Sequence, residues 1–286
     1  YKDLDADGML YIEGLRPGTY AVSVKEHKDY ILPDEIKVEV KDRIEYARID
    51  DISYLIKTEA EIDALAEDTG KRQVESDDTE YTKNWTNAKN GVLGIDVSKW
   101  NKEIDWEAVK EDGVKFVIIR CGYRGSKTGA LVEDPYFRKN IEGASAAGLD
   151  VGVYFFTQAI TEVEAVEEAS MVLTLTENYE LELPIFIDTE GSGGRADSLD
   201  VATRTAVCKA FCDTIQANDR TAGIYASRNW YRTKLDDSTF DPYVKWLAEY
   251  RKTPIYAGKY DMWQYTSSGK VNGIEGKVDL NLSYME

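Results

Sequence analysis

The 286-residue chain has one histidine, His27, and it lies far upstream of the region where long apolar runs recur. That region therefore cannot assemble a Ser-His-Asp triad, a Cys-His dyad or a histidine-ligated zinc site. Its chemistry has to run on carboxylates. Cysteine is nearly as scarce: Cys121, Cys208 and Cys212 are an odd number without a Cys-x-x-Cys spacing. The last two stand four apart on an expected helix, poor geometry for a bridge, so all three read as small core residues. No apolar run approaches the ~20 residues that span a bilayer, which excludes membrane insertion. Basic residues are in deficit, 35 against 53 acids for a net charge of −18. Such a field repels phosphates and excludes nucleic acid as a partner. Gly122-Tyr123-Arg124-Gly125-Ser126-Lys127-Thr128 ends like a phosphate loop but lacks the second glycine directly before the lysine. Neither a metal nor a cofactor is expected. The chain opens on Tyr1 without a charged-then-apolar leader and reads as a fragment of a longer product, any export signal already gone.

What is present falls into three stretches. Residues 1–57 carry short alternating segments, Met9 to Ile12, Tyr20 to Val24 and Ile36 to Val40, broken at Asp7-Gly8 and Pro17-Gly18. Period-two text between tight turns predicts a small antiparallel β module. Asp3, Asp5 and Asp7 imitate the start of a calcium loop, but Gly14 stands where the bidentate glutamate is required, so a turn is the simpler reading. Residues 58–90 begin with a capping box, Thr58 with Glu61, ahead of a short helix, and continue as a polar linker with a sequon at Asn84. From residue 91 to 286, apolar runs alternate with amphipathic helices, the pattern of a parallel sheet wrapped by helices.

Eight apolar runs are strand candidates: 94–97, 116–120, 151–156, 184–188, 222–226, 245–248, 262–265 and 278–280. Helices are predicted after Asp134-Pro135, after Thr161 with Glu164 as its capping partner, and from Ala202 to Ile215. The later runs follow too closely for full helices. The expected fold is α/β, an irregular (β/α) TIM-like barrel behind a small N-terminal all-β module.

In such barrels the functional residues end the strands. Asp96 ends the first run, Asp188 and Glu190 end the fourth, and Asp279 lies in the last. The strand period of two puts Asp188 and Glu190 on one face, toward the barrel mouth. Two charges ~6 Å apart repel by about 3 kcal/mol at an effective dielectric of ~20, so one carboxyl is expected to keep its proton near neutrality. One acid and one anion are what glycoside hydrolysis requires. Tyr154, Tyr225, Trp246, Tyr250, Trp263 and Tyr265 cluster at or near strand ends, where flat rings can stack on sugar faces or pack the core.

Taken together, these residues resemble the family 25 glycoside hydrolases, muramidases that cut the bacterial wall. The resemblance runs from Gly94 to Asn281. It rests on Gly94-Ile95-Asp96-Val97-Ser98, Phe116 to Arg120 followed by Gly122-Tyr123, and Gly152-Val153-Tyr154-Phe155-Phe156. It continues in Phe186-Ile187-Asp188-Thr189-Glu190, Gly223-Ile224-Tyr225, Trp263-Gln264-Tyr265 and Val278-Asp279-Leu280-Asn281. It implies Glu190 as general acid, Asp188 as its partner carboxylate, and Asp96 and Asp279 as the remaining acids. It implies substrate contacts from Tyr123, Tyr154, Phe156, Tyr225, Trp246, Trp263 and Gln264. Phe156 departs from relatives that often carry a polar residue there. Upstream, Asp7-Gly8, Gly14 to Tyr20 and Tyr30 to Pro33 resemble part of a B-type prealbumin-like repeat of Gram-positive surface adhesins.

The implied partner is bacterial peptidoglycan, cut at the β-1,4 bond between N-acetylmuramic acid and N-acetylglucosamine by a secreted or wall-associated enzyme. Substrate-assisted retention is the expected mechanism, with direct attack by a carboxylate or by activated water as alternatives. Two other readings compete: a chitinase-like barrel of family 18, although the longer Asp-rich run before Glu190 is missing, and a wall-binding module without catalysis.

Overall fold

The computed structural model describes residues 12, 15–23, 35–40, 47–50, 52–58, 60–61 and 91–285. The chain divides into two compact units, Tyr1–Glu45 and Tyr46–Glu286. In the first, β1 (Gly18–Val22) and β2 (Ile36–Val40) pair antiparallel with Tyr20 opposite Val38. Both follow the alternating text, and the Tyr20 hydroxyl donates to Arg16 O at 2.8 Å across the Pro17-Gly18 corner. The acidic turn at Asp3, Asp5 and Asp7, His27 and the sequon at Asn84 lie outside the described residues, as does most of the strand expected at 9–12.

Residues 47–58, read above with the β module up to residue 57, cluster with the second unit. Leu55 N–H donates to Leu131 O (2.8 Å), and Leu55 O accepts from Glu133 N–H (2.9 Å), so this segment adds itself to a sheet edge. Ile49 N–H donates to Ser170 Oγ at 2.8 Å. The capping box is formed: Thr58 N–H donates to Glu61 Oε2 (2.8 Å) and Glu61 N–H to Thr58 Oγ1 (3.4 Å). The helix expected beyond Glu61 lies outside the described residues.

The rest of the second unit is a barrel. In chain order its elements are β3 (Val92–Val97), α1 (Trp106–Glu111), β4 (Phe116–Arg124), β5 (Leu131–Glu133), α2 (Phe137–Ala146), β6 (Asp150–Phe156), α3 (Glu162–Thr176) and β7 (Ile185–Asp188). They are followed by α4 (Val201–Gln216), β8 (Ala222–Ser227), α5 (Arg228–Thr233), β9 (Val244–Ala248), β10 (Met262–Gly269) and β11 (Val278–Ser283). Eight strands, β3, β4 and β6 to β11, form a closed ring, while β5 folds back on β4 as a flap. All eight coincide with the predicted runs. Seven run in one direction, and β11 alone is antiparallel to both neighbours, β10 and β3. That reversal differs from a uniformly parallel barrel and has a simple cause. A parallel connection needs a dozen or more residues, whereas β10 ends at Gly269 and β11 begins at Val278.

The period of two along each strand separates two cores. Phe116, Ile118, Phe186, Tyr225, Trp246 and Met262 point inward and fill the barrel, with the Trp246 ring edge-on to Tyr225 at 4.7 Å and to Phe186 at 5.2 Å. Their neighbours Val117, Ile119, Ile187, Ile224, Leu247 and Trp263 point outward and pack with helix residues such as Ile141, Met171, Val172 and Phe211. Inside the ring the space is tight enough to require glycine: a Cβ at Gly94 would lie 2.3 Å from the Phe116 ring. The helices start where the sequence marks them. Thr161 caps α3 by accepting from Glu164 N–H (3.2 Å), and Asp200 caps α4 by accepting from Thr203 N–H (2.7 Å). After β8 the helical layer thins to the short α5, because the remaining connections lack the length for more.

Candidate active site

Asp96, Asp188, Glu190 and Asp279 line one cavity of about 180 Å³ at the C-terminal ends of the parallel strands, together with Ser98, Trp100, Asn101, Arg120, Tyr154, Phe156 and Lys277. Alternation brings Asp188 there: Phe186 is inside the barrel and Ile187 outside, so Asp188 is inside again. The ladder then continues beyond β7, since Thr157 N–H donates to Asp188 O (3.0 Å) and Thr189 N–H to Tyr225 O (3.1 Å). Glu190 leaves on the same side and is 6% exposed. The loop that follows is fixed by Asp197, whose carboxylate accepts from Gly193 N–H at 2.8 Å and from Ser192 N–H at 3.2 Å. Asp279 arrives by a different route. It sits near the start of β11, and because that strand is reversed, its register partner is Asp96 near the end of β3.

Asp96 is 1% exposed, and its Oδ2 accepts from Gln264 Nε2 at 2.7 Å and from Asn281 Nδ2 at 2.8 Å. Both amides are held from behind. Gln264 Oε1 accepts from the hydroxyls of Tyr225 and Tyr250, each at 2.9 Å, and Asn281 Oδ1 accepts from Trp246 Nε1 at 2.8 Å.

Of the seven side chains offered above as substrate contacts, Tyr154 and Phe156 are on the cavity wall. The other five are not among its lining residues. Tyr225, Trp246 and Gln264 form the buried layer beneath the carboxylates. Trp263 lies on the outward face of β10, where Nε1 donates to Glu249 O at 2.8 Å. Tyr123 is 1% exposed and packs with Val132 and Phe156. Arg120 and Trp100 line the cavity without having been singled out. Arg120 ends an apolar run just as Asp96 does, so the rule that found the acids would have found it had cations been sought. Its Nε donates to Asp134 Oδ2 at 2.7 Å. Burial opposes its charge, yet Asp134, with Tyr154 and Tyr123, outweighs that and holds the guanidinium above its usual pKa. Trp100 is 60% exposed at the rim, with Lys99 Nζ 4.2 Å from the centre of its ring. It lies just past the first strand, in a short turn rather than at a strand end.

A second charged cluster ties β4 to α3. Arg124 Nε donates to Glu168 Oε1 at 2.9 Å and Nη2 to Glu167 Oε2 at 2.8 Å. Burial pushes the Glu168 carboxyl up to about 7, with the Arg124 charge working in the opposite direction. The three cysteines are buried and unpaired, and burial pushes the Cys208 thiol up to about 12. Among the described residues no group of histidine, cysteine and acidic side chains could hold a metal ion, and no helix is long and apolar enough to cross a membrane.

Comparison with known proteins places the barrel among relatives. The chain is 30% identical over 191 residues to the autolytic lysozyme of Clostridium acetobutylicum, covering 66% of this chain and 55% of that protein. It is 26% identical to lysozyme M1 of Streptomyces globisporus, covering 67% of each. The chain thus spans about half the length of the first of these relatives. Among solved structures, the modular autolysin LytC of Streptococcus pneumoniae in complex with a synthetic peptidoglycan ligand superposes with a TM-score of 0.59 at 26% identity. The match covers 88% of this chain and 54% of that one. A bacterial lysozyme of Streptomyces coelicolor gives a TM-score of 0.58 at 25% identity, covering 69% of this chain and 94% of that one. The family model for glycosyl hydrolases family 25 matches residues 95–274, which begin beside Asp96 and enclose Asp188 and Glu190. With well over half of its length inside that match, the chain belongs to glycosyl hydrolases family 25.

Proposed function

We propose that this chain is a peptidoglycan hydrolase that cleaves the β-1,4 bond between N-acetylmuramic acid and N-acetylglucosamine. The observation that carries the reading is the convergence of Asp96, Asp188, Glu190 and Asp279 on one cavity at the mouth of the barrel. Similarity to two lysozymes and to an autolysin solved with a peptidoglycan ligand supports it. Glu190 gives its proton to the glycosidic oxygen as the bond to the anomeric carbon breaks. The acetamido oxygen of the same sugar attacks that carbon, and Asp188 orients the acetamido N–H and stabilises the positive charge of the cyclic intermediate. Water then opens the intermediate with Glu190 taking its proton, and the configuration is retained. Trp100 at the rim offers a flat face for a neighbouring sugar, and Arg120 and Lys277 add positive charge to an otherwise acidic cavity. Such an enzyme acts outside the cell, secreted or held at the wall, and the β1–β2 hairpin fits a partial prealbumin-like repeat of a surface protein.

The test is release of reducing ends from purified peptidoglycan, with muramic acid identified at the new ends. Release from chitin instead would assign the barrel to the chitinase class, and wall binding without release would make it a binding module. Proton NMR of the first product reads the stereochemistry, and initial inversion would remove the assisted scheme.

A further inference from the structure

Hydrogen-bonding side chains around Asp96 form two layers. The first consists of the amides of Gln264 and Asn281, both donating to Oδ2 at 2.7 and 2.8 Å. A carboxamide turned by 180° would present oxygen to a carboxylate, so what fixes the turn matters. For Asn281 the indole N–H of Trp246 decides: it can only donate, it lies 2.8 Å from Oδ1, and Nδ2 is thereby left facing Asp96. For Gln264 the acceptor-only carboxylate of Asp96 takes Nε2, and two phenol hydroxyls, which can donate or accept, hold the turn by donating to Oε1 at 2.9 Å each. These five side chains come from β8, β9, β10, β11 and the loop after β9, so the ring of strands itself sets the geometry. Gln264, Asn281, Tyr225 and Trp246 are each 0–1% exposed, and Tyr250 is 7% exposed.

We infer that Gln264 and Asn281 are positioning residues for Asp96: their amides, held by Tyr225, Tyr250 and Trp246, fix the carboxylate's orientation and favour its ionised form. Two N–H donors stabilise the anion and lose that interaction when the acceptor is protonated. The fixed negative charge stands at the cavity floor before substrate arrives, so no reorganisation is needed as positive charge develops at the anomeric carbon. This consequence for turnover rests on the hydrolase reading above, whereas the effect on Asp96 itself does not.

Two measurements separate the claims. Titration of Asp96 by carbon-13 NMR in the wild type and in Gln264→Leu reads the carboxylate directly, whatever the enzyme cleaves. Loss of a hydrogen bond to a charged acceptor should raise the Asp96 titration midpoint by about one to two pH units. On peptidoglycan the same variant should lose about 10- to 100-fold in kcat with little change in KM, and its acidic limb should move up by a similar interval. Gln264→Glu should regain activity as the pH falls, because a protonated Glu side chain can again donate to Asp96, a rescue that Gln264→Leu cannot show. The double variant Tyr225→Phe with Tyr250→Phe removes two oxygen atoms and should shift both readings in the same direction to a smaller extent. An Asp96 titration unchanged in Gln264→Leu would overturn the inference; if that protein does not fold, an unchanged titration in the double phenylalanine variant does so instead. A wild type that releases no reducing ends would remove the hydrolase reading and leave the titration to decide on the positioning.

Discussion

Asp279 faces Asp96 across the antiparallel pair of β11 and β3, two acids in direct register inside a closed ring. Directly opposed residues in such a pair have Cα atoms ~4.5–5.5 Å apart, and like charges there oppose folding. Two like charges ~5 Å apart repel by about 3 kcal/mol at an effective dielectric of ~20, and by less where solvent enters. The barrel therefore carries a local conflict at the place where function needs charge.

Asp279→Asn should accordingly raise the melting temperature by about 2–5 °C while lowering kcat at least ~10-fold. Differential scanning calorimetry beside the reducing-end assay reads both. A fall in melting temperature would show that Asp279 is held by partners worth more than the repulsion.

Glu190→Gln keeps the size of the side chain and removes the proton that Glu190 donates in the proposed mechanism. Turnover should fall by about 10²- to 10⁴-fold, with sedimentation onto insoluble wall material unchanged. Near-wild-type release of reducing ends would move the general acid elsewhere in the cavity.

Glu168 predicts how stability responds to pH. Its carboxyl is pushed up to about 7 by burial, from an ordinary 4.5. The folded state binds this proton more tightly than the unfolded chain, so the stabilisation is complete below about 4.5 and is lost as the pH rises through about 7. The change across that window is on the order of 3 kcal/mol. Urea unfolding from pH 5 to pH 8 should show the decline in the wild type and a flatter profile in Glu168→Gln. Equal slopes in the two proteins would mean that Arg124, 2.9 Å away, keeps Glu168 ionised throughout.

Gly94→Ala places a methyl group 2.3 Å from the Phe116 ring inside the barrel. A stability loss of about 1–3 kcal/mol is expected, with partial recovery when Phe116→Leu is added, measured by urea unfolding of the single and double variants. Additive losses would show that the ring does not determine the cost at this position.

The architecture was largely legible because each strand is bounded and apolar on both faces, as at Phe116 to Ile119 and Ile185 to Ile187, and this pattern leaves little but a covered parallel sheet. Its weakness is the same property. When both faces are apolar, text does not reveal which residue faces the barrel and which faces the helices. Trp263 and Gln264 are adjacent, yet one packs outward and the other reaches Asp96. The aromatic residues read as sugar contacts were therefore a mixture of cavity wall, as for Tyr154, and scaffold, as for Tyr225 and Trp246. Asp279 was found for its residue type, while its place opposite Asp96 depends on the reversal of β11, set by the length of a loop. Arg120 and Trp100 carry no such acidic signal: one is a strand-end cation and the other an exposed ring just past the first strand, both on the wall of the same cavity.

The reversed last strand also decides where the barrel's two ends emerge. Ser283 pairs with Val92, so the chain enters and leaves side by side at the edge opposite the carboxylates, with Gly91 packed against Leu282 and Tyr284. A fusion partner joined after Ser283 would likewise hang from the base and leave the mouth open to a bulky polymer, whereas the segment around Leu55 lies along β5, beside the last residues of β4.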